Sequence, residues 1–304
     1  MMQTDAGPDG RRNALIAGAS AYLIWGLLPI YLKALAHVPA ADVLAYRVLW
    51  SLALCVALAL ISGAMGATLA VLRDPRRLGL LTVSALVIGG NWLLYIWAIA
   101  NNHVVDASLG YFINPLLNVL LGVVLLREKL DRAAQLAVAL AVAGVVIMTV
   151  ERGGLPWVSL TLAMSFAFYG LVRKYVPVAP VPGLLVETLV LAPAALLWMA
   201  TGQRTALGGD MATALLLIGA GPITAVPLMM FAYAARRLEL TTIGLMQYVA
   251  PTMIFLLGVF AYHEPLSMPQ LIAFALIWAG VAVYAADGIR QARRRALAQA
   301  DPVR

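Results

Sequence analysis

A single cysteine, Cys55, stands in 304 residues, so no intramolecular disulfide is available and the thiol, inside an apolar run, reads as packing. Charge is also scarce: 12% of residues are Asp, Glu, Lys or Arg, against 63% hydrophobic. A water-soluble chain of this length has no use for so much apolar surface. No Asn-x-Ser/Thr acceptor occurs. There is no phosphate-binding loop, no cluster with metal-ligand spacing and no nucleophile beside a base, so no cofactor is implied and an autonomous ATP-driven pump is excluded. Nor is any polar stretch long enough for a separate soluble domain.

What the chain has is long apolar runs. A bilayer-spanning helix takes roughly 20 apolar residues, and ten can be marked at 13–33, 41–62, 78–99, 107–126, 132–150, 156–174, 183–201, 211–234, 240–262 and 268–287. This predicts an all-α integral membrane protein in contact with lipid. The polar start, Met1 to Arg12, has no small-residue cleavage site behind a short apolar core, so the first span reads as an uncleaved signal anchor. The net charge of +7 lies in short runs between apolar segments, which argues for topology rather than nucleic-acid binding. With the N-terminus cytoplasmic, 17 Lys and Arg fall on the cytoplasmic side, including Arg73, Arg76, Arg77, Arg173 and a basic tail over 288–304. Three (Lys33, Arg152, Arg204) fall on the other, and Arg47 lies within a span. Both termini are expected inside. The tail reads as a frayed basic extension at the membrane surface.

One offset recurs. Pro115, Gly122, Glu128 and Gly144 each reappear 136 residues later, as Pro251, Gly258, Glu264 and Gly280. Each copy reads as an apolar helix broken by proline and ended by a solvated glutamate. Five spans separate the copies, so they run in opposite directions: two inverted five-helix repeats, 13–150 and 156–287. Trp25-Gly26 and Tyr169-Gly170 form a weaker match. Duplicated, proline-interrupted helices point to a transporter with its site between the repeats.

Several stretches resemble a known family: Ala21-Tyr-Leu-Ile-Trp-Gly-Leu-Leu-Pro-Ile-Tyr31, Tyr46-Arg-Val-Leu-Trp-Ser51, Asn91-Trp-Leu-Leu-Tyr-Ile-Trp97, Ser108-Leu-Gly-Tyr-Phe-Ile-Asn-Pro115, Tyr169-Gly-Leu-Val-Arg-Lys174 and Gly244-Leu-Met-Gln-Tyr-Val-Ala-Pro251. They are similar to the drug/metabolite transporter superfamily with two EamA-type halves, and most of all to the RarD (chloramphenicol-sensitivity) proteins. Two positions depart from that pattern: Asp42 where glutamate is usual, and Tyr46 where histidine is common, which removes a titrating group. The resemblance implies a bacterial inner-membrane transporter of small metabolites or drugs, with export favoured over import.

Polar groups inside a bilayer cost a few kcal/mol each and so are informative, although many only join helices. Asn114 and Asn118 bracket Pro115, with Tyr111 on the same face. They line a translocation path or support a kink. The ninth span repeats the arrangement with Gln247, Tyr248 and Thr252 around Pro251, and the same two readings stand. Asn91 and Tyr95 in the third span, with Tyr22, Trp25 and Tyr169 at similar depth, suggest an aromatic, amphipathic cavity or a packed core. Arg47 and Glu187 are the deep charges. Depth arithmetic separates them vertically by about 13 Å. Arg47 is therefore expected to meet Asp42 or Asp106 towards the outer face, and Glu187 to meet Arg173, Lys174 or Arg236/Arg237 towards the inner. Each cluster is a gate or a static pair, Arg47 suits a carboxylate, and Glu187, Asp42 or Asp106 leaves proton coupling open. The seam Ala133, Ala137, Ala141 reads as close helix packing.

The function expected is therefore a secondary transporter of a small molecule, with no enzymatic activity. Alternatives from other classes are a membrane-embedded lipid-modifying enzyme, against which the lack of clustered carboxylates or histidines counts, and a channel. Nothing in the residues specifies an oligomer.

Overall fold

A computed structural model describes residues 8–126, 132–176, 178–201, 210–235, 237–238, 242 and 246–300, leaving aside the side chains of 8–9, 118–126, 152, 174, 232, 235 and 291–300. Among them are eleven helices and no strand. In chain order they are α1 (Pro8–Ala34), α2 (Ala40–Ile61), α3 (Met65–Leu72), α4 (Pro75–Ala100), α5 (Val104–Leu126), α6 (Arg132–Arg152), α7 (Trp157–Tyr175), α8 (Pro180–Ala200), α9 (Met211–Ala235), α10 (Val249–Leu256) and α11 (Met268–Ala300). Seven are long and apolar enough to cross a membrane, and three shorter apolar helical stretches, within α5, α7 and the α10 region, complete the ten expected spans. Large apolar side chains face outward, with Ile61 84% and Val150 77% exposed, as a lipid-solvated surface requires. The protein is an all-α membrane protein.

The short α3 was not anticipated. Gly63, at φ +68°, closes α2 with the Ala64 amide on the Ala59 carbonyl, and the chain runs one short apolar helix before α4. The Arg73–Arg77 turn is a helix start: Asp74 accepts from the amides of Arg76 and Arg77 at 3.0 and 3.1 Å, with Pro75 in the first turn. The α11 start is a capping box, the Ser267 amide donating to Gln270 and the Gln270 amide to the Ser267 hydroxyl. Beyond it the expected frayed tail is corrected. Residues 288–300 continue α11, because their Ala, Arg and Gln are strong helix formers.

The two proline breaks are not alike. Pro115 sits inside a continuous α5. Pro251 sits in the first turn of α10, where its missing amide costs no helical bond, and the break falls at the turn through Gln247 and Tyr248. A π-helical turn, Leu257–Ala261, follows α10.

Packing between the halves is reciprocal. α2 lies along α8 and α6 along α11, while α1 packs on α9 as α7 packs on α4. Gly89 of α4 faces Leu191 of α8, and Gly221 of α9 faces the Trp50 backbone of α2. The connections sort to two ends. At one, Lys33 donates to Asn102, His37 meets Thr213 at 3.0 Å, and Glu264 reaches the α5 start. At the other, Val71 of α3 packs with Val176.

Glu264 corrects the reading of a solvated helix-end charge. It is buried, and its two oxygens accept the amides of Val104 and Val105 at 2.7 and 2.8 Å, capping α5 from the opposite repeat. Its counterpart Glu128 lies outside the described residues.

Candidate functional site

A cavity of about 470 Å³ opens between the halves, lined from α1, α2, α4, α5, α7, α8, α9 and α10. Repeat-equivalent positions supply facing walls: Tyr111 and Gln247, and likewise Asn114 and Ala250, all line it.

Rings form two groups. Tyr22 and Trp25 of α1 meet edge-on at 5.3 Å between centroids, and both pack on Phe231 of α9. Across from them, Tyr95 of α4 contacts Tyr111 of α5 at 5.6 Å, and a chain of contacts continues through Phe166 to Tyr169 of α7. Such mid-bilayer rings offer flat apolar faces with polar tips.

Amides supply the polarity. Asn91 donates through Nδ2 to the Leu162 carbonyl at 3.0 Å and to Ser165 at 2.8 Å, which fixes its orientation. Its Oδ1 and that of Asn114 are buried and accept no hydrogen bond among the described residues. An unmet buried acceptor costs on the order of 1–3 kcal/mol, so two in one cavity point to a ligand or water.

The deep charges occupy the same cavity without pairing with each other. Glu187 is 1% exposed, accepts from Ser84 Oγ at 2.5 Å, lies 3.7 Å from Arg173 Nη1 and has the Tyr169 hydroxyl nearby. Of the partners expected for it, Arg173 is the one found, and Lys174 and Arg236 lie outside the described side chains. Arg173, one of the charges at the cytoplasmic end of its span, lines the cavity from the last turns of α7, where Gly183 makes room: a β-carbon there would run into the guanidinium.

Arg47 corrects the expectation. Neither Asp42 nor Asp106 holds it; its guanidinium carbon lies 4.5 Å from the Trp92 ring centroid, near the hydroxyls of Tyr31, Tyr95 and Tyr111, and its Nε has no hydrogen-bond partner among the described residues. The Tyr31 hydroxyl itself donates to the Leu216 carbonyl. A ring face contributes roughly 0.5–2 kcal/mol, less than the several kcal/mol that burying a cation costs.

Other expected site residues lie elsewhere. Asp42 accepts from the Trp198 indole at 2.7 Å in the first turn of α2, and Asp106 meets His103 at 3.0 Å in the first turn of α5; neither lines the cavity. Negative charge is at home in a first turn. Tyr248 packs instead into the α5–α11 core around Phe112. Thr252 is exposed and donates to the Tyr248 carbonyl. The side chain of Asn118 lies outside the described residues. Sequence reasoning passed over Phe166, Thr224 and Gly183, apolar or small residues with no signal of their own.

The sequence matches the family model described as "EamA-like transporter family" twice, over residues 12–150 and 154–286. It is 44% identical to an uncharacterized transporter of Pseudomonas aeruginosa, over 93% of this chain and 96% of that one. It is 43% identical to Protein RarD of Escherichia coli (93% and 97%), and 30% identical to Chloramphenicol-sensitive protein RarD of Pseudomonas aeruginosa (93% and 97%). A solved structure, described only as a crystal structure of a protein, superimposes with a TM-score of 0.59 at 23% identity, covering 89% of this chain and 96% of that one, and shares the fold. The chain belongs to the EamA-like transporter family, and within the drug/metabolite transporter superfamily it is RarD-like.

Proposed function

We propose that this membrane transporter is a secondary carrier that exports small metabolites or drugs by alternating access of its two halves, 13–150 and 156–287, around the central cavity. The observation that supports it is the facing pair of repeat-equivalent walls, Tyr111 with Asn114 and Gln247 with Ala250, on one enclosed space. A pseudo-twofold axis through such a site lets either half rock against the other while the bound molecule stays put. The ring-lined walls suit an amphiphile, and one relative is named for chloramphenicol sensitivity. Glu187, the cavity's carboxylate, is the group we assign to proton coupling. The lysine and arginine asymmetry supports both termini and the 288–304 tail on the cytoplasmic side of a bacterial inner membrane.

Thermal-shift screening of purified protein against a metabolite library supplies a substrate, and counterflow in proteoliposomes measures its exchange. Asn114→Ala and Gln247→Ala each lower counterflow at least tenfold while leaving the yield of folded protein intact. Full counterflow in both variants would remove the proposed lining.

A further inference from the structure

Three ionisable side chains line the cavity among the described residues, Arg47, Arg173 and Glu187, two basic against one acidic. Arg173 has Glu187 at 3.7 Å. Arg47, 92% buried, has no carboxylate against it among the described residues, only the Trp92 face and tyrosine hydroxyls, with its Nε unbonded. Ring faces return less than a guanidinium loses on leaving water. A planar fork of donors, held over an indole and left open, is built to take an oxyanion in two parallel bonds. The cavity also carries two buried acceptors without donors, the Oδ1 atoms of Asn91 and Asn114, while both Asn91 amide bonds are spent on α7.

We propose that the transported molecule is an organic monoanion: a carboxylate or phosphodiester seated on Arg47, an apolar or aromatic body between the ring groups, and an N–H or O–H donor for the asparagine oxygens. The single charge matches the one guanidinium, Arg47, that has no carboxylate against it among the described residues. The size follows from the volume of about 470 Å³, in the range of small-ligand pockets. This inference rests on the transporter reading and adds the substrate class to it.

The test uses matched probes on the purified full chain, with binding followed by calorimetry. The anions are 3-phenyllactate and methyl phenyl phosphate; the neutral and cationic partners are 3-phenyllactamide and phenethylamine. In the wild-type protein at least one anion binds tenfold or more tighter than the amide and the amine, and the two anions together tell carboxylate from phosphodiester. Arg47→Gln abolishes that preference, whereas Arg47→Lys keeps most of it through the retained charge. The wild-type comparison needs no variant and stands even if Arg47→Gln folds poorly. Amide or amine binding as tightly as the anions, failure of both anions to bind, or a preference that survives Arg47→Gln would overturn the proposal. Amide binding that matches the anions in the wild type and is unchanged in Arg47→Gln, yet weakens in Asn114→Ala, would overturn the anion seat and leave the transporter reading intact. Absence of counterflow with every hit from the screen would instead remove the transporter reading.

Discussion

A β-carbon on Gly280 would stand 2.8 Å from the Ala137 carbonyl oxygen, and one on Gly144 would stand 3.0 Å from the Ala273 carbonyl oxygen. The two contacts are images of one another, since Gly280 and Ala273 lie 136 residues after Gly144 and Ala137. The seam between α6 and α11 thus obeys the repeat down to single backbone atoms. Gly280→Ala should cost about 1–3 kcal/mol by overpacking against backbone that cannot yield, and Gly280→Leu should abolish the folded protein. Thermal unfolding in detergent checks both, and wild-type stability in Gly280→Leu would contradict the seam.

Glu264 ties the second repeat to the first through the amides of Val104 and Val105. Glu264→Ala strips two buried donors of their acceptor and should destabilise by about 2–4 kcal/mol. Glu264→Gln keeps one acceptor oxygen and should lose about half as much. Equal stability of all three proteins would show that the cap contributes nothing.

Glu187→Gln keeps a partner for Ser84 and Tyr169 while removing the charge opposite Arg173. The variant should fold, and substrate uptake into vesicles should lose its response to a pH gradient. A gradient response equal to wild type would exclude Glu187 as the proton carrier. Gly183→Ala reaches the same pair differently, since the added methyl displaces the Arg173 guanidinium from its seat. It should alter transport with little change in stability.

The cavity separates neighbours that the sequence presents as equals. Gln247 lines it, whereas Tyr248 belongs to the core beside Phe112 and Thr252 faces away. Thr252→Ala and Tyr248→Phe should therefore keep at least half of wild-type counterflow, in contrast to Gln247→Ala. A loss in Thr252→Ala as deep as in Gln247→Ala would mean that the path runs along another face of α10.

The helices were legible because apolar run length maps directly onto bilayer thickness, and the repeat because Pro115 and Pro251, and Gly144 and Gly280, kept one offset through duplication. Helix rotation was not legible. Depth along a helix correctly kept Arg47 from pairing with Glu187, but it carries no angle, so it could not show that α2 turns Arg47 onto Trp92 instead of towards Asp42. Gln247 and Tyr248 lie one turn before Pro251 only if the chain is helical there, and it is not helical through Gln247 and Tyr248; adjacency to Pro251 carries no angle for Thr252. Glu264 was read from its loop position, while its burial depends on His263 at φ 52° and on a helix start 160 residues earlier. The Ser267–Gln270 capping box, by contrast, was written in four consecutive residues and went unread.

The inverted repeat is tested most directly at Arg132 and Met268, equivalent first residues of α6 and α11 that are both exposed. With Cys55 replaced by alanine, Arg132→Cys and Met268→Cys are treated in intact cells with a membrane-impermeant maleimide. The account predicts that Met268→Cys is labelled at once and Arg132→Cys only after the cells are permeabilised. Labelling of both from the same side of the membrane would contradict it.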